Sequence, residues 1–479
     1  MPILYQQQEQ DCSKVILCFG EENFSPETQA LFDAEVLQKK HKASLSLSQL
    51  VNGKIQNTTY LYIDTSDTEE SLRQALAIPV KELKKGKETS FSLSYEGELQ
   101  PDKEKRMLTL LGEVFTLLTY QFEGYQKEKK PAKEIKLGVE SKLSQSDFET
   151  AVTVGVNLAN AVNLAKDSIN MPSDVMHPQA FADLATDCGK KYGFTTQILQ
   201  EKELKEQGFG ALLAVGQGSF YPSVLVTLKY TGDKATEPYT ALVGKGVTFD
   251  SGGYCLKTTD TIAFMKVDMG GAATVLGAMS ALAQNKVKAN VIAVLPLCEN
   301  LIGKEALIPG TVIETLSKKT VEITNTDAEG RLILADGLYY ASQMEDVARI
   351  IDVATLTGAT AVTFAGMYAA ITSNNKEFVS HLQQSSEACG ERIWELPLDD
   401  CFKDKIVSKI ADYRNSGPTK TGGTIVAGMF LKEFVGDKPW IHIDIAGVTS
   451  AMAESHYTLA GPRGFGVRTL YHLLEQGKF

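Results

Sequence analysis

The sequence has 479 residues, 43% hydrophobic and 22% charged, a composition that fits a folded chain with a large core and excludes both a stapled miniprotein and a globally disordered polymer. At ~150 residues per domain the length allows roughly three domains, or two unequal ones. Lys and Arg number 48 against 59 Asp and Glu, a net charge of -11; no overall field attracts phosphate backbones or anionic lipid, so nucleic acid and membranes are disfavoured as partners.

The seven cysteines are scattered and odd in number, with no CxxC pair; they suggest a reducing compartment rather than a disulfide framework or a zinc ribbon. The opening MPILYQQQEQDC lacks the basic start and apolar stretch of a secretory signal, and no run approaches the ~18 apolar residues of a membrane span. A cytoplasmic location is expected.

In chain order, KVILCFG at 14–20 reads as a strand, Pro26 to about Ala43 as a charged amphipathic stretch, and YLYID at 60–64 as a second strand. SLRQALAIPVKELKK, the alternating SFSLSYEG and the apolar helix candidate MLTLLGEVFTLLTYQF follow. This alternation predicts a smaller N-terminal α/β domain over residues 1–145. Within it YQKEKKPAKE mixes Lys and Glu without aromatic interleaving, which reads as a solvated linker rather than a nucleic-acid patch. A capping-box pattern at Ser146 and Glu149 opens a helix with apolar Ala151, Val154, Leu158, Ala161, Val162 and Ala165 that should end before Pro172. Residues 146–169 are thus predicted as a connecting helix.

From residue 170 to 479, SVLVTLKY, YTALVGKG, NVIAVLPL, RIIDVATL and PWIHIDIAG alternate with helical stretches such as AATVLGAMSALAQ and GRLILADGLYYAS. That order predicts a larger domain with a mainly parallel central sheet flanked by helices, its ligands lying beyond the carboxyl ends of the strands. Familiar nucleotide and hydrolase motifs fail. VGKGV has Tyr239 and Gly246 where a phosphate loop needs Gly and Ser or Thr, Tyr221 replaces the third glycine of a dinucleotide fingerprint, and HExxH and GxSxG are absent.

Two segments concentrate charge in apolar surroundings: VGKGVTFDSGGYCLKTTDTIAFMKVDMGG from Val243, and NTDAEGRL from Asn325 to Leu332. Asp327 and Glu329 stand two apart, so at an extended strand end their carboxylates leave on one face. Asp250 follows a strand-like run in a glycine-rich turn, and Asp268 precedes Met-Gly-Gly and a helix; both can enter the same crevice. Any one of these acids could be a helix cap, and Lys245, Lys257 and Arg331 could be structural counter-ions. Four carboxylates in one crevice, however, would repel and protonate unless cations neutralise them, which points to divalent metal.

NTDAEGRL, GKGVTFDSGG, Lys257 seven residues after Asp250, and MKVDMGGAA with Asp268 eighteen residues after it together resemble the leucyl (cytosolic) aminopeptidase family. The likeness runs from about Asn163 to the C-terminus and includes NLAKDSINMPSDVM, ATLTGA and HIDIAG. It implies that Lys245, Asp250, Asp268 and Glu329 hold one divalent ion, zinc or manganese, and that Asp250, Asp327 and Glu329 hold the other. Lys257 and Arg331 would be the catalytic pair, Lys257 stabilising the developing oxyanion and Arg331 holding a bicarbonate that relays a proton. A water or hydroxide bridging the metals would attack the first carbonyl of a peptide whose free amine binds metal. Lys245 coordinates only when neutral, so the dication must depress its pKa.

Met265, Thr355, Leu356, Gly358 and Ala446 match positions that shape the first side-chain pocket in the family, although each is also an ordinary core residue. Tyr254, Cys255 and Thr258 depart from common members, and Tyr254 is similar to the bacterial aminopeptidase B branch. The resemblance therefore implies a dinuclear-metal aminopeptidase acting on the N-terminal bond of peptides, with apolar first residues such as Leu preferred, assembled as a homohexamer of two trimers. The metal cluster by itself also allows a two-metal phosphoesterase, and a non-catalytic regulatory or DNA-binding relative is the further alternative.

Overall fold

The computed structural model describes residues 3–6, 12–20, 22–51, 54–64, 68–85, 89–128, 133–233, 238–419 and 421–477; YQKEKKPAKE lies partly outside them. The chain divides into two compact units, Met1–Asn160 with Glu454–Leu459, and Ala161–Ala453 with Ala460–Phe479.

In the first unit, β1 (Ile3–Tyr5), β2 (Ser13–Phe19), β3 (Ser44–Val51), β4 (Lys54–Ile63), β5 (Ser90–Gly97) and β6 (Lys136–Val139) form a sheet in the order β1-β6-β5-β2-β4-β3. Its pairs are parallel except β3 with β4. The helices Glu69–Lys85 and Pro101–Thr119 complete the α/β alternation. The amphipathic stretch from Pro26 is helical only to Asp33, because Glu35 takes a left-handed φ of +56° that ends the helix. The long helix Gln145–Asn170 stops two residues short of Pro172 and crosses the division between the units. Its cap is Ser144 rather than Ser146: the Ser144 hydroxyl accepts from the Asp147 N–H at 3.2 Å, so Ser146 already lies within the first turn.

The second unit contains β7 (Thr195–Leu199), β8 (Val224–Thr231), β9 (Tyr239–Gly244), β10 (Gly246–Asp250), β11 (Asn290–Asn300), β12 (Val312–Glu314), β13 (Thr320–Glu322), β14 (Val347–Ala354), β15 (Ala369–Ser373), β16 (Ile393–Glu395), β17 (Tyr413–Arg414) and β18 (Trp440–Asp444). The main sheet runs β16-β15-β18-β14-β9-β11-β8-β7, with β10 also on β11. Its centre is parallel, as predicted, and antiparallel pairs occur towards the edges, at β15 with β18 and at β8 with β11 and β7. Every residue of β11 is buried, as a central strand covered on both faces requires. The apolar helices Gly270–Gln284 and Gly330–Ser342 pack against this centre. The carboxyl ends of β9, β10, β11, β14 and β18 then deliver Lys245, Asp250, Asn300, Thr355 and Asp444, where an open α/β sheet places its ligands.

Candidate metal centre

Lys245 occupies the break between β9 and β10, both of which pair with β11. Its N–H donates to the Val353 carbonyl at 3.0 Å and its own carbonyl accepts from Ala272 at 2.8 Å, which fixes the side chain in the interior. The ammonium donates to Asp268 at 2.7 Å and to the Thr355 carbonyl at 2.8 Å, and lies 2.9 Å from Glu329 Oε1. Gly330 makes room for it, since a Cβ there would stand 2.7 Å from Lys245 Nζ. Burial opposes this charge, but Asp268, Glu329 and Asp250 outweigh it and hold the ammonium above the ordinary lysine range.

Asp250 ends β10 with one oxygen accepting from Gly252 N–H and from Asn300 Nδ2, both at 2.8 Å. The other oxygen lies 2.7 Å from Lys257 Nζ, which also reaches Asp327 Oδ1 at 2.6 Å. Gly252 has φ +83°, and a Cβ on it would meet Asp327 Oδ1 at 2.9 Å, so the turn that brings Asp250 and Asp327 together needs glycine. Asp268 sits in a short 3-10 helix, Met265–Met269, and its Oδ1 accepts from the Thr355 hydroxyl at 2.8 Å. Asp327 and Glu329 do share the crevice, but not by strand pleating. Asp327 lies in a turn made by its N–H and Asn325 Oδ1 at 2.9 Å, and Glu329 is the residue on which the helix Gly330–Ser342 begins; the turn competes successfully with extension because the Asn side chain mimics a backbone acceptor.

The donor set suits divalent cations. Asp250, Asp327 and Glu329 each offer an oxygen within 4.8 Å of the others, and Glu329 Oε2 is buried without a hydrogen-bond partner among the described residues. Burial and the neighbouring Glu329 push Asp250 up to about 6 against the pull of Lys257 and Lys245, and Asp327 rises for the same first two reasons. Carboxylates crowded enough to resist ionisation at their ordinary pKa gain most from a cation, and hard oxygen donors with one amine are ligands for zinc, manganese and similar ions. Arg331 is buried nearby. Its Nη1 donates to the Asn415 carbonyl at 2.8 Å, its Nε has no partner among the described residues, and burial pushes the guanidinium down to about 10 despite Glu329 and Asp444.

Lys245, Asp250, Lys257, Asp268, Asp327 and Glu329 line a cleft of about 980 Å³ that also includes Met265, Thr355, Leu356, Gly358 and Ala446, and with them Cys255 and Thr258. Thus every predicted site residue except the buried Arg331 lines one cavity; Arg331 follows two residues after Glu329. Tyr254 remains about half-exposed, at 51%. Sequence reading missed three supporting residues. Asn300 ties Asp250 to the Thr326 carbonyl (2.9 Å). The Asn415 amide holds the backbone of residues 324–328. The Asp444 carboxylate accepts from Leu356 N, Ala446 N and the hydroxyls of Thr357 and Thr360, pinning both walls of the cleft next to Gly358. Asp444 lies within HIDIAG, so its string was visible, whereas its role depended on fold contacts.

The sequence profile of the cytosol aminopeptidase family, catalytic domain, matches residues 163–471. The chain belongs to the cytosol aminopeptidase family. This aminopeptidase is 37% identical over 471 residues to the probable cytosol aminopeptidase of Clostridium perfringens (strain 13 / Type A), covering 96% of this chain and 95% of the relative. It is 42% identical over 364 residues to probable cytosol aminopeptidase 1 of Shewanella oneidensis, covering 76% and 71%. Among solved structures, the bottromycin maturation enzyme BotP in complex with Mn superposes with a TM-score of 0.84 at 29% identity, over 97% of this chain and 99% of that one. Membership makes the chain a metallo-aminopeptidase that hydrolyses N-terminal peptide bonds with two divalent metals. It gives no support to the phosphoesterase alternative. Among the described residues, no helix is long and apolar enough to cross a membrane.

Proposed function

We propose that Lys245, Asp250, Asp268 and Glu329 hold one divalent ion and Asp250, Asp327 and Glu329 the other, with Asp250 and Glu329 shared. The convergence of these five side chains on one cleft supports the assignment. Two bound divalent ions supply Lewis acidity for the scissile carbonyl and lower the pKa of a water; zinc and manganese both suit the donors. Lys245 ligates through a neutral amine and so must release its proton on binding. Lys257, charged and partly open to the cleft, donates to the oxyanion that develops on the substrate carbonyl. Arg331 is too basic to act as the base. Its unpartnered Nε suits it instead to hold a small anion, bicarbonate in this reading, that carries the proton.

Thr355, Leu356, Gly358, Ala446 and Met265 surround the first side chain of the peptide, and Met265 with Leu356 favours an apolar one such as Leu. Homohexameric assembly and a cytoplasmic location accompany the family resemblance; light scattering showing an active monomer would remove the former. The specificity for a free amine is the decisive test. Leu-amide and Leu-peptides should be cleaved and their N-acetyl forms should not, because acylation removes the lone pair that positions the first carbonyl. Similar kcat/KM for both forms would refute amine ligation.

A further inference from the structure

Among the described residues, three cations line the cleft: Lys245, Lys257 and Arg414. The two lysines are occupied by the carboxylates described above. Arg414 differs, for its Nε donates to the Ser416 carbonyl at 2.7 Å and it forms no ion pair among the described residues. The acids beside it have other partners. Asp412 accepts from the N–H and hydroxyl of Thr320, both at 2.8 Å. Glu322, opposite Arg414 in the parallel register of β13 and β17, accepts from the Ser408 hydroxyl at 2.6 Å.

The arginine is also held in place. Its backbone pairs in β17 and its N–H donates to the Ile406 carbonyl at 2.8 Å, while the next residue, Asn415, anchors the loop bearing Asp327. A half-buried guanidinium on a fixed backbone, lining a polar cleft and paired with no carboxylate among the described residues, is a preorganised fork for one. In the reading above, the metal centre that the carboxylates would hold takes the amine end of a bound peptide, which leaves Arg414 for the part beyond the scissile bond. Two or three extended residues span roughly 7–10 Å, and the cleft volume of about 980 Å³ suits a ligand of that size.

We propose that Arg414 is a specificity-determining residue that binds a substrate carboxylate on the leaving-group side of the scissile bond, so that the enzyme favours short peptides with a free C-terminus. The inference rests on the cleft being the peptide site. A carboxylate could come from the peptide's C-terminus or from an acidic second side chain, and the substrates separate the two. The metal-loaded enzyme is assayed on Leu-Gly and Leu-Gly-Gly, each as free acid and C-terminal amide, and on the pair Leu-Asp-amide and Leu-Asn-amide, with Leu-p-nitroanilide as the reference.

The wild type should prefer acid over amide by about 10-fold or more in kcat/KM at one peptide length, carried mainly by KM, the size of one charge-assisted contact. Arg414→Gln should bring that ratio to about one, and Arg414→Lys should leave it between the two. A preference confined to Leu-Asp-amide over Leu-Asn-amide, and lost in Arg414→Gln, supports the carboxylate site with the side chain as its source. A wild-type ratio near one in all pairs, or a ratio that survives in Arg414→Gln, overturns the proposal. If metal-loaded wild type cleaves neither Leu-p-nitroanilide nor any free-amine peptide, the reading of the cleft as the peptide site fails instead.

Discussion

Replacing Asn415 by Ala tests whether the metal-ligand loop is held by a neutral side chain. Asn415 Oδ1 accepts from Thr324 N at 2.9 Å and Asn325 N at 3.3 Å, while Nδ2 donates to Asn325 O at 2.6 Å and Ala328 O at 3.2 Å. The contact to Ala328 is buried and the others are half-buried, so water can replace only some of them. Leaving a buried polar group unpaired costs ~1–3 kcal/mol, and contacts within one network do not add fully, so a total of about 3 kcal/mol is expected. That corresponds to a fall in Tm of roughly 3–5 °C. Because the loop carries Asp327 and Glu329 and leads to Arg331, a shift on the order of 1 Å should also lower kcat by about 10- to 100-fold. Asn415→Asp should be no better, since it keeps the acceptor towards Thr324 but turns a second oxygen on the Asn325 and Ala328 carbonyls. Thermal unfolding, metal content and Leu-peptide kinetics on purified variants give the answer. An Asn415→Ala protein within ~0.5 kcal/mol of wild type, with unchanged kcat/KM, would refute the reasoning.

Asp327→Asn should lose metal measured by elemental analysis, whereas Lys257→Ala should keep most of it while losing a factor on the order of 100 or more in turnover; equal metal loss in both would reassign Lys257 to structure. Burial opposes the charge on His442, but Asp352, 2.6 Å from its Nδ1, raises the imidazole above its ordinary pKa. A raised folded-state pKa contributes stability that is complete below the unfolded value of ~6.5 and is lost as pH rises through the folded one. Wild type should therefore lose stability above pH ~6.5, as read by urea midpoints. Asp352→Asn, which keeps an acceptor for Trp440 Nε1, should flatten that slope; an equal slope in both would show that the pair does not titrate there.

The parallel centre of the second unit was legible because β9 and β11 are nearly continuous apolar runs, and β14 and β18 are mainly apolar despite Arg349, Asp352, His442 and Asp444, the pattern of strands buried on both faces. Antiparallel pairing of β8 with β11 left no comparable mark, since SVLVTLKY is apolar in either direction. Local punctuation also misled where several residues could serve. Ser144 and Ser146 are both competent caps, and only the backbone hydrogen bonds distinguish them. For Asp327 and Glu329, a spacing of two is compatible with a pleat and with a turn, and the Asn325 side chain decided for the turn.

The same limit explains which site residues could be found. Charged groups in apolar surroundings are conspicuous because burial makes each of them costly, so Lys245, Asp250, Asp268, Asp327 and Glu329 stand out before any fold is known. The neutral groups that hold them carry no such signature. Asn300 lies 50 residues from Asp250 and Asn415 lies 87 from Ala328, and an isolated Asn beside Ser-Gly reads as a loop. Asp444 is charged but ends an apolar strand as a cap would, and its neutral N–H and hydroxyl partners are brought to it by the parallel pairing of β14 with β18. The charged residues therefore mark the chemistry in the sequence, while the amides and hydroxyls that orient them become visible only when the strand ends converge.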